Sequence, residues 1–229
     1  MKKINRIRIF SVFILGILFI LLNSCFNYEM AEPKPEKPVP APDDYEAIAA
    51  GYGHSLALSH ELYSIFNTLW AWGDNTYGQL GNGSTINKNI PVFIGYGFTA
   101  ISAGGSHSLA LMHDTLFVWG SNRFGQLGDS TYLDKSSPVQ IGCGYSTISA
   151  GFSHSLALKN DGTLWAWGDN TYGQLGDGTN ENRNTPVKIG SGYSAIAAGG
   201  RHSLALKTDA TLWAWGNNEY GQLGDSSNE

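Results

Sequence analysis

Four histidines recur at a nearly constant interval and are the side chains best suited to chemistry. Each begins a His-Ser-Leu-Ala-Leu segment, and the segments lie 53, 47 and 48 residues apart, at His54, His107, His154 and His202. A ring of imidazoles could ligate a metal or transfer protons. Metal ligands converge from unequal spacings, however, whereas these histidines recur once per unit. We therefore interpret them as structural residues whose nitrogens meet neighbouring backbone groups, and we expect no metal site.

No other pattern in the chain favours catalysis. Serine adjoins histidine in each segment, but neighbours on a strand point to opposite faces and cannot form a nucleophile–base pair. Asp129, Asp177 and Asp225 follow Gly-Gln-Leu-Gly but lack the spaced ligands of a calcium loop, so we interpret them as solvated turn residues. No phosphate-binding loop, nucleophile elbow or zinc-protease motif occurs. We expect no catalytic residue, no cofactor and no enzymatic activity.

A longer repeated phrase surrounds the histidines and indicates what positions them. The thirteen residues LWAWGDNTYGQLG begin at Leu69 and again at Leu164, and looser copies begin at Leu116 and Leu212. Tryptophan buries a large apolar area. We therefore interpret the tryptophans of the four Trp-Gly pairs as structural residues between repeated units: Trp72, Trp119, Trp167 and Trp215.

Each repeated unit contains four short strands. From Tyr145, the segments YSTISAG, HSLALK and TLWAWG predict three strands, and the Pro-Val segment at Pro186 predicts a fourth. No window has the apolar period of a helix. Four strands per repeat of about 48 residues predict an all-β, propeller-type array of four blades. The predicted units lie near 45–91, 92–138, 139–186 and 187–229.

The repeat resembles that of the regulator of chromosome condensation family. AAGGRHSLALK followed by LWAWGNNEYGQLG carries the resemblance, which extends over residues 45–229. Relatives with this repeat close a ring of seven blades, so the resemblance implies that four units form an open arc or incomplete propeller. The Pro-Val strand follows the first three units only. Either the chain is a fragment of a longer repeat protein, or it self-associates or binds a partner through an open blade edge.

The N-terminal residues indicate export and a lipid anchor. Lys2, Lys3, Arg6 and Arg8 precede an apolar run of 14 residues, too short to span a membrane as a helix. The run ends in Leu-Asn-Ser-Cys, which resembles the bacterial lipobox. We expect a signal peptide over 1–24, lipid on Cys25, a proline-rich tether over 25–44 and a location in the cell envelope. The alternative is a plain signal peptide or an uncleaved anchor, with Cys25 incidental.

Net charge and cysteine content limit the classes of partner and of structure that the chain can have. Removing four positive charges with the signal changes the formal net charge from −5 to −9, which disfavours a nucleic-acid partner. The chain has two cysteines, and an exported chain of this kind is not a disulfide scaffold. We interpret Cys143 as a small apolar side chain rather than a nucleophile.

Two sets of loop residues are candidates for binding a partner. The positions directly before each repeat histidine vary between units and should lie at one rim, where loops on a rigid scaffold carry binding. They include Tyr52, Ser106, Phe152 and Arg201. The first unit also carries an insertion, 59–68, which is either a contact loop or a flap over a blade edge. Its apolar residues are Leu62, Tyr63, Ile65 and Phe66.

Two classes of function follow. The first is a non-enzymatic, lipid-anchored envelope module that binds a protein or a glycan. The second is a regulator of another protein, which the resemblance implies: the namesake of the family promotes nucleotide exchange on a small GTPase, and a secreted bacterial relative inhibits beta-lactamase. An exported chain would not meet a cytosolic GTPase, so inhibition of an extracellular enzyme is the stronger form of this alternative.

Overall fold

The computed structural model describes residues 44–60 and 66–226, and the regular secondary structure of this part of the chain is entirely β. The strands form four antiparallel sheets, which we call the first to fourth blades. The first blade contains β1 (Ala47–Ala50), β2 (His54–His60), β3 (Asn67–Gly73) and β4 (Lys88–Tyr96). The second contains β5 (Ala100–Ala103), β6 (His107–Met112), β7 (Thr115–Gly120) and β8 (Lys135–Gly142). The third contains β9 (Tyr145–Ala150), β10 (His154–Lys159), β11 (Leu164–Gly168) and β12 (Arg183–Gly190), and the fourth contains β13 (Tyr193–Ala198), β14 (His202–Lys207) and β15 (Leu212–Gly216).

Each blade is a meander in which strands pair with their neighbours in chain order. In the third blade, β10 pairs with β11 so that His154 lies opposite Gly168 and Leu158 lies opposite Leu164. Alternation of side chains along β10 sends Leu156 and Leu158 toward the fourth blade and Ala157 toward the second. Both faces of the strand are therefore buried, as a stacked blade requires.

The core is divided into three layers, one at each junction between blades. At the first junction, Leu56 and Leu58 pack against Phe98, Phe117 and Trp119 of the second blade. Equivalent layers lie between the second and third blades and between the third and fourth. Contacts between blades follow the same chain order, and the short strands β1, β5, β9 and β13 touch one another in sequence.

The fourth blade leaves one side of the array open. Among the described residues, β15 pairs only with β14, so this blade has three strands. Leu212 is 67% exposed and Trp213 is 51% exposed, whereas the equivalent Leu164 is fully buried against the next blade. The array is thus an incomplete propeller, which confirms the fold expected from the sequence.

Two details differ from expectation. Each Pro-Val strand closes its own blade, so the first three blades end near 96, 142 and 190, past the expected unit boundaries. Cys143, in the bend between β8 and β9, is disulfide-bonded, so it is not the simple apolar side chain that the sequence indicated.

Several expectations concern residues that lie outside those described: the signal peptide, Cys25, the tether up to residue 43, and Leu62, Tyr63 and Ile65 of the insertion. Over 44–60 and 66–226, no helix is long and apolar enough to cross a membrane.

Candidate functional site: the loop face

One end of the array carries all the long connections, and we call it the loop face. Because the strands of a meander alternate in direction, the loops 51–53, 104–106, 151–153 and 199–201 emerge at the same end as the longer loops 74–87, 121–134, 169–182 and 217–226. The first set links the two inner strands of each blade. Backbone hydrogen bonds join them across blades, from Tyr52 N to Gly104 O (3.1 Å) and from Gly105 N to Phe152 O (3.1 Å).

An asparagine and a glutamine shape each long loop, and both side chains are buried in the first three loops. The Asn122 amide donates to the carbonyl oxygens of Thr131 and Leu133 at 3.1 and 3.2 Å, and its oxygen accepts from Leu127 N at 3.0 Å. The Gln126 oxygen accepts from Phe124 N at 2.9 Å. Since the loop backbone is paired by side chains of the same loop, the loop face is a rigid surface.

Asp129 and Asp177, which follow Gly-Gln-Leu-Gly, are built into these loops and are not solvated turn residues, whereas Asp225 is exposed. The Asp177 side chain is 5% exposed and lies 2.8 Å from Arg183 Nε, and Asp129 lies 3.2 Å from Lys135 Nζ. Burial alone would raise the pKa of Asp177, but hydrogen bonds from Thr179 and Arg183 outweigh it and hold that pKa below its usual value.

The repeat histidines and tryptophans lock neighbouring blades together. His107 Nε2 lies 3.0 Å from Ser155 Oγ in the next blade, and that hydroxyl donates to Gln126 O at 2.8 Å. Trp167 Nε1 donates to the same carbonyl at 2.9 Å. Because the Ser155 hydroxyl donates its proton to Gln126 O, it can only accept a hydrogen bond from His107. The neutral imidazole must therefore carry its proton on Nε2. The same histidine–serine bond joins His54 to Ser108 at 2.9 Å and His154 to Ser203 at 3.0 Å.

The remaining repeat residues lie at the two ends of the array. Among the described residues, His202 of the fourth blade forms no side-chain hydrogen bond, while Trp215 Nε1 donates to Gln174 O at 2.8 Å. Trp72 lies at the opposite end, with its ring centroid 6.4 Å from that of Tyr45. The partner of each locked histidine is thus a serine hydroxyl, not the backbone group expected.

The environment of these histidines opposes protonation. Burial lowers the pKa of His54 and His154 to about 4 and that of His107 to about 3. In all three, Nδ1 is buried and has no hydrogen-bond partner among the described residues. In the second blade, His107 Nδ1 lies close to Gly104. A Cβ added to Gly104 would be 2.6 Å from this nitrogen. Residues 44–60 and 66–226 contain no group of three or more ligands that could hold a metal.

Exposed apolar side chains are concentrated on the loop face. Tyr52 is 85% exposed and Phe152 is 49% exposed, and their rings meet edge to face with centroids 5.8 Å apart. They meet across the second blade because Gly105 lies between them: a Cβ there would lie 2.3 Å from Phe152 O. Other exposed apolar residues on this face are Tyr77, Ile86, Tyr132, Leu133, Tyr172 and Tyr220.

A groove of about 570 Å³ crosses the loop face at the second blade. Its aromatic lining comes from three consecutive blades: Tyr77, Phe124, Tyr132 and Phe152. Ser106 also lines it, so two of the residues predicted from the positions before the histidines reach the groove. Tyr52 borders it through its contact with Phe152.

The structure separates the other predicted binding residues. Arg201 lies on the loop face, where its guanidinium is 5.1 Å from the Tyr172 ring centroid and donates to the Tyr172 hydroxyl at 3.2 Å. Phe66 directly precedes β3 and therefore lies at the opposite end of the first blade. The two candidate sets do not form one surface.

Sequence reasoning missed Tyr77, Phe124 and Tyr132. The first two stand inside the repeated phrase, which was interpreted as architecture throughout. The available signal was variation within that phrase: Thr-Tyr-Gly-Gln in the first unit becomes Arg-Phe-Gly-Gln in the second. A position that tolerates different rings beside invariant glycines is a surface position.

Comparisons with known proteins agree with the architecture. The sequence model of the RCC1-like domain matches residues 23–229. Human WBSCR16 has a similar structure, with a TM-score of 0.71 and 26% identity, over 87% of this chain and 59% of that one. Prp20p from Saccharomyces cerevisiae, reported with its binding properties to Gsp1p and histones, has a TM-score of 0.69 and 26% identity, over 82% of this chain and 49% of its own.

One human protein resembles part of the sequence. The probable E3 ubiquitin-protein ligase HERC4 is 38% identical over 64 residues, which are 26% of this chain and 6% of that protein. The chain therefore spans about half the length of the solved relatives and a small part of this larger one.

Proposed function

This chain belongs to the family of RCC1-like domains, and from that premise we propose that it is a non-enzymatic binding module that presents its loop face to a protein or glycan partner. The observation that carries the proposal is the rigid loop face with exposed aromatic side chains. Solvent-exposed rings such as Tyr52 and Phe152 are unfavourable in isolation but serve as anchors in recognition surfaces. Prp20p, a relative of similar architecture, binds proteins.

We further propose that the module is exported and held at a membrane by lipid on Cys25. The positive residues at positions 2–8, the apolar run and Leu-Asn-Ser-Cys support this proposal. A thioether on Cys25 and a disulfide between the two cysteines of one chain exclude each other. Intact-mass measurement of the membrane fraction, with and without reductant, decides between them. A mass increase from acyl chains supports the anchor, and a two-dalton gain on reduction without acyl mass refutes it.

A second candidate is regulation of another protein. Its support is the similarity to Prp20p, which is reported to bind Gsp1p. For an exported chain, the regulated protein would be an extracellular or periplasmic enzyme. A change in the activity of a co-purifying enzyme on titration with this chain would favour this candidate.

A crosslinking experiment tests the binding function. A photoreactive group placed at Tyr52, 85% exposed on the loop face, should give discrete crosslinks on intact cells. The same group at Asn160, exposed in the turn between β10 and β11 at the opposite end of the third blade, serves as the control. Equal labelling from both positions, or none from Tyr52, would exclude the loop face as the binding surface.

A further inference from the structure

The groove at the second blade combines aromatic surfaces with polar groups that have no hydrogen-bond or ion-pair partner among the described residues. Asp134 uses one oxygen to accept from Asn122 N at 2.7 Å, and no described residue donates to the other. Ser106 and Ser153 line the same groove, and no described residue forms a hydrogen bond with either hydroxyl group. The Arg123 guanidinium lies 5.7 Å from the Phe124 ring centroid and forms no ion pair in this part of the chain. These donors and acceptors are open to a ligand.

The charges in the groove balance. Its lining contains one cation, Arg123, and one anion, Asp134. A groove for a phosphate, a uronic acid or an ammonium group would carry an excess of the opposite charge. The lining instead fits an uncharged ligand that offers both donors and acceptors.

The size and surfaces of the groove favour a carbohydrate over a protein surface. About 570 Å³ lies within the range of small-ligand sites. A pyranose ring has one apolar C–H face, which stacks on an aromatic ring, and hydroxyl groups at its edge, which bond carboxylate, guanidinium and serine groups. The rings of Tyr77, Tyr132 and Phe152 and the polar groups described above supply both requirements.

The groove is also pre-organised. The amide of Asn122 holds the loop that carries Tyr132 and Asp134, and backbone bonds from Gly105 N and to Gly200 O hold Phe152. Ligand binding would therefore cost little free energy for ordering the side chains and loops of the groove. We infer that this groove binds a short, uncharged oligosaccharide. The inference rests on the proposed binding function and names the ligand class of the loop face.

An array of neutral and anionic glycans, probed with the purified full chain, tests the inference. We expect retention on neutral glycans, and calorimetry with the best of them should show binding about tenfold weaker for Phe152→Ala and for Tyr132→Ala. Trp213→Ala is the control, because Trp213 is an exposed ring on β15 that lies outside both the groove and the loop face. It should bind within about twofold of the wild type. Melting temperatures of all variants establish that they are folded.

Three results would overturn the inference: no neutral glycan retained, preference for anionic glycans, or affinity unchanged in both groove variants. The crosslinking experiment at Tyr52 separates this failure from failure of the proposed function. Discrete protein crosslinks from Tyr52 without glycan binding would leave the binding module intact and exclude only the carbohydrate.

Discussion

At the scale of single residues, the buried histidines make folding sensitive to acid. Their pKa values are about 3 to 4 in the folded protein and about 6.5 in an unfolded chain. The unfolded chain therefore binds more protons between these values, so stability is fully present above pH 6.5 and is lost as the pH falls toward 4. Within that window, each histidine lowers the free energy of unfolding by up to about 1.4 kcal/mol for each unit that the pH falls.

Urea unfolding between pH 7.5 and 4.5 measures this effect. The free energy of unfolding should fall steeply below pH 6.5, and His107→Gln should reduce the slope by about a third, since one of three histidines is removed. Glutamine retains an N–H that can donate to the Ser155 hydroxyl. A slope that is flat in the wild type, or identical in the variant, would show that these histidines do not control the acid response.

Close packing against the adjoining blade leaves no room for a side chain at the glycines before the histidines. A Cβ on Gly104 would lie 2.4 Å from both Gly151 O and His107 Cε1, so backbone of the adjoining blade would have to shift. Gly104→Ala should therefore lower the free energy of unfolding by about 1–3 kcal/mol. Gly200→Ala is the matched control, because nothing lies within 4 Å of the position that its Cβ would occupy. Thermal unfolding of both variants measures the difference in stability. Equal melting temperatures would contradict the prediction that only the Gly104 variant is destabilised.

At the scale of elements, each junction between blades depends on one tryptophan. Trp167 is fully buried against the second blade and donates to Gln126 O. Trp167→Ala should cost about 3–5 kcal/mol, enough to unfold a marginal domain. Trp213→Ala, at a position that is 51% exposed on the fourth blade, should cost about 1 kcal/mol or less. Denaturant titration checks both, and a loss at Trp167 no larger than that at Trp213 would place it outside the core.

The strands were predictable from the sequence, whereas the partners of their side chains were not. Alternation in HSLALK identifies β10 and its two faces, and Gly-Gln-Leu-Gly identifies the turn that follows β11. The bond from His107 to Ser155 joins residues 48 apart in the chain, so no local pattern contains it. The groove escaped prediction for the same reason. Its rings come from three blades, and Phe124 belongs to a phrase whose repetition explains packing equally well.

At the scale of the whole molecule, the two ends of the array differ. On the first blade, Ala57 and Trp70 are fully buried, whereas Leu206, Leu212 and Trp213 on the fourth are between 37% and 67% exposed. The outer edge of β15 also lacks a paired strand among the described residues. An exposed apolar face beside an open strand edge favours association with another surface of the same kind. The open side of the fourth blade is therefore where self-association should begin.

Substitution on that open side should reduce association without unfolding the protein. We expect the purified chain to dimerise as its concentration rises, and Leu212→Asp to shift the equilibrium toward monomer by about tenfold or more, because a carboxylate would have to be buried in the contact. Leu164→Asp, at the same repeat position inside a junction, should instead unfold the third blade, which separates loss of contact from loss of fold. Light scattering after size-exclusion chromatography measures the mass, and small-angle scattering of the Leu212→Asp monomer should show a crescent. A compact disc with its first and fourth blades in contact, or a wild-type chain that stays monomeric at all concentrations, would mean that the open side is closed in solution.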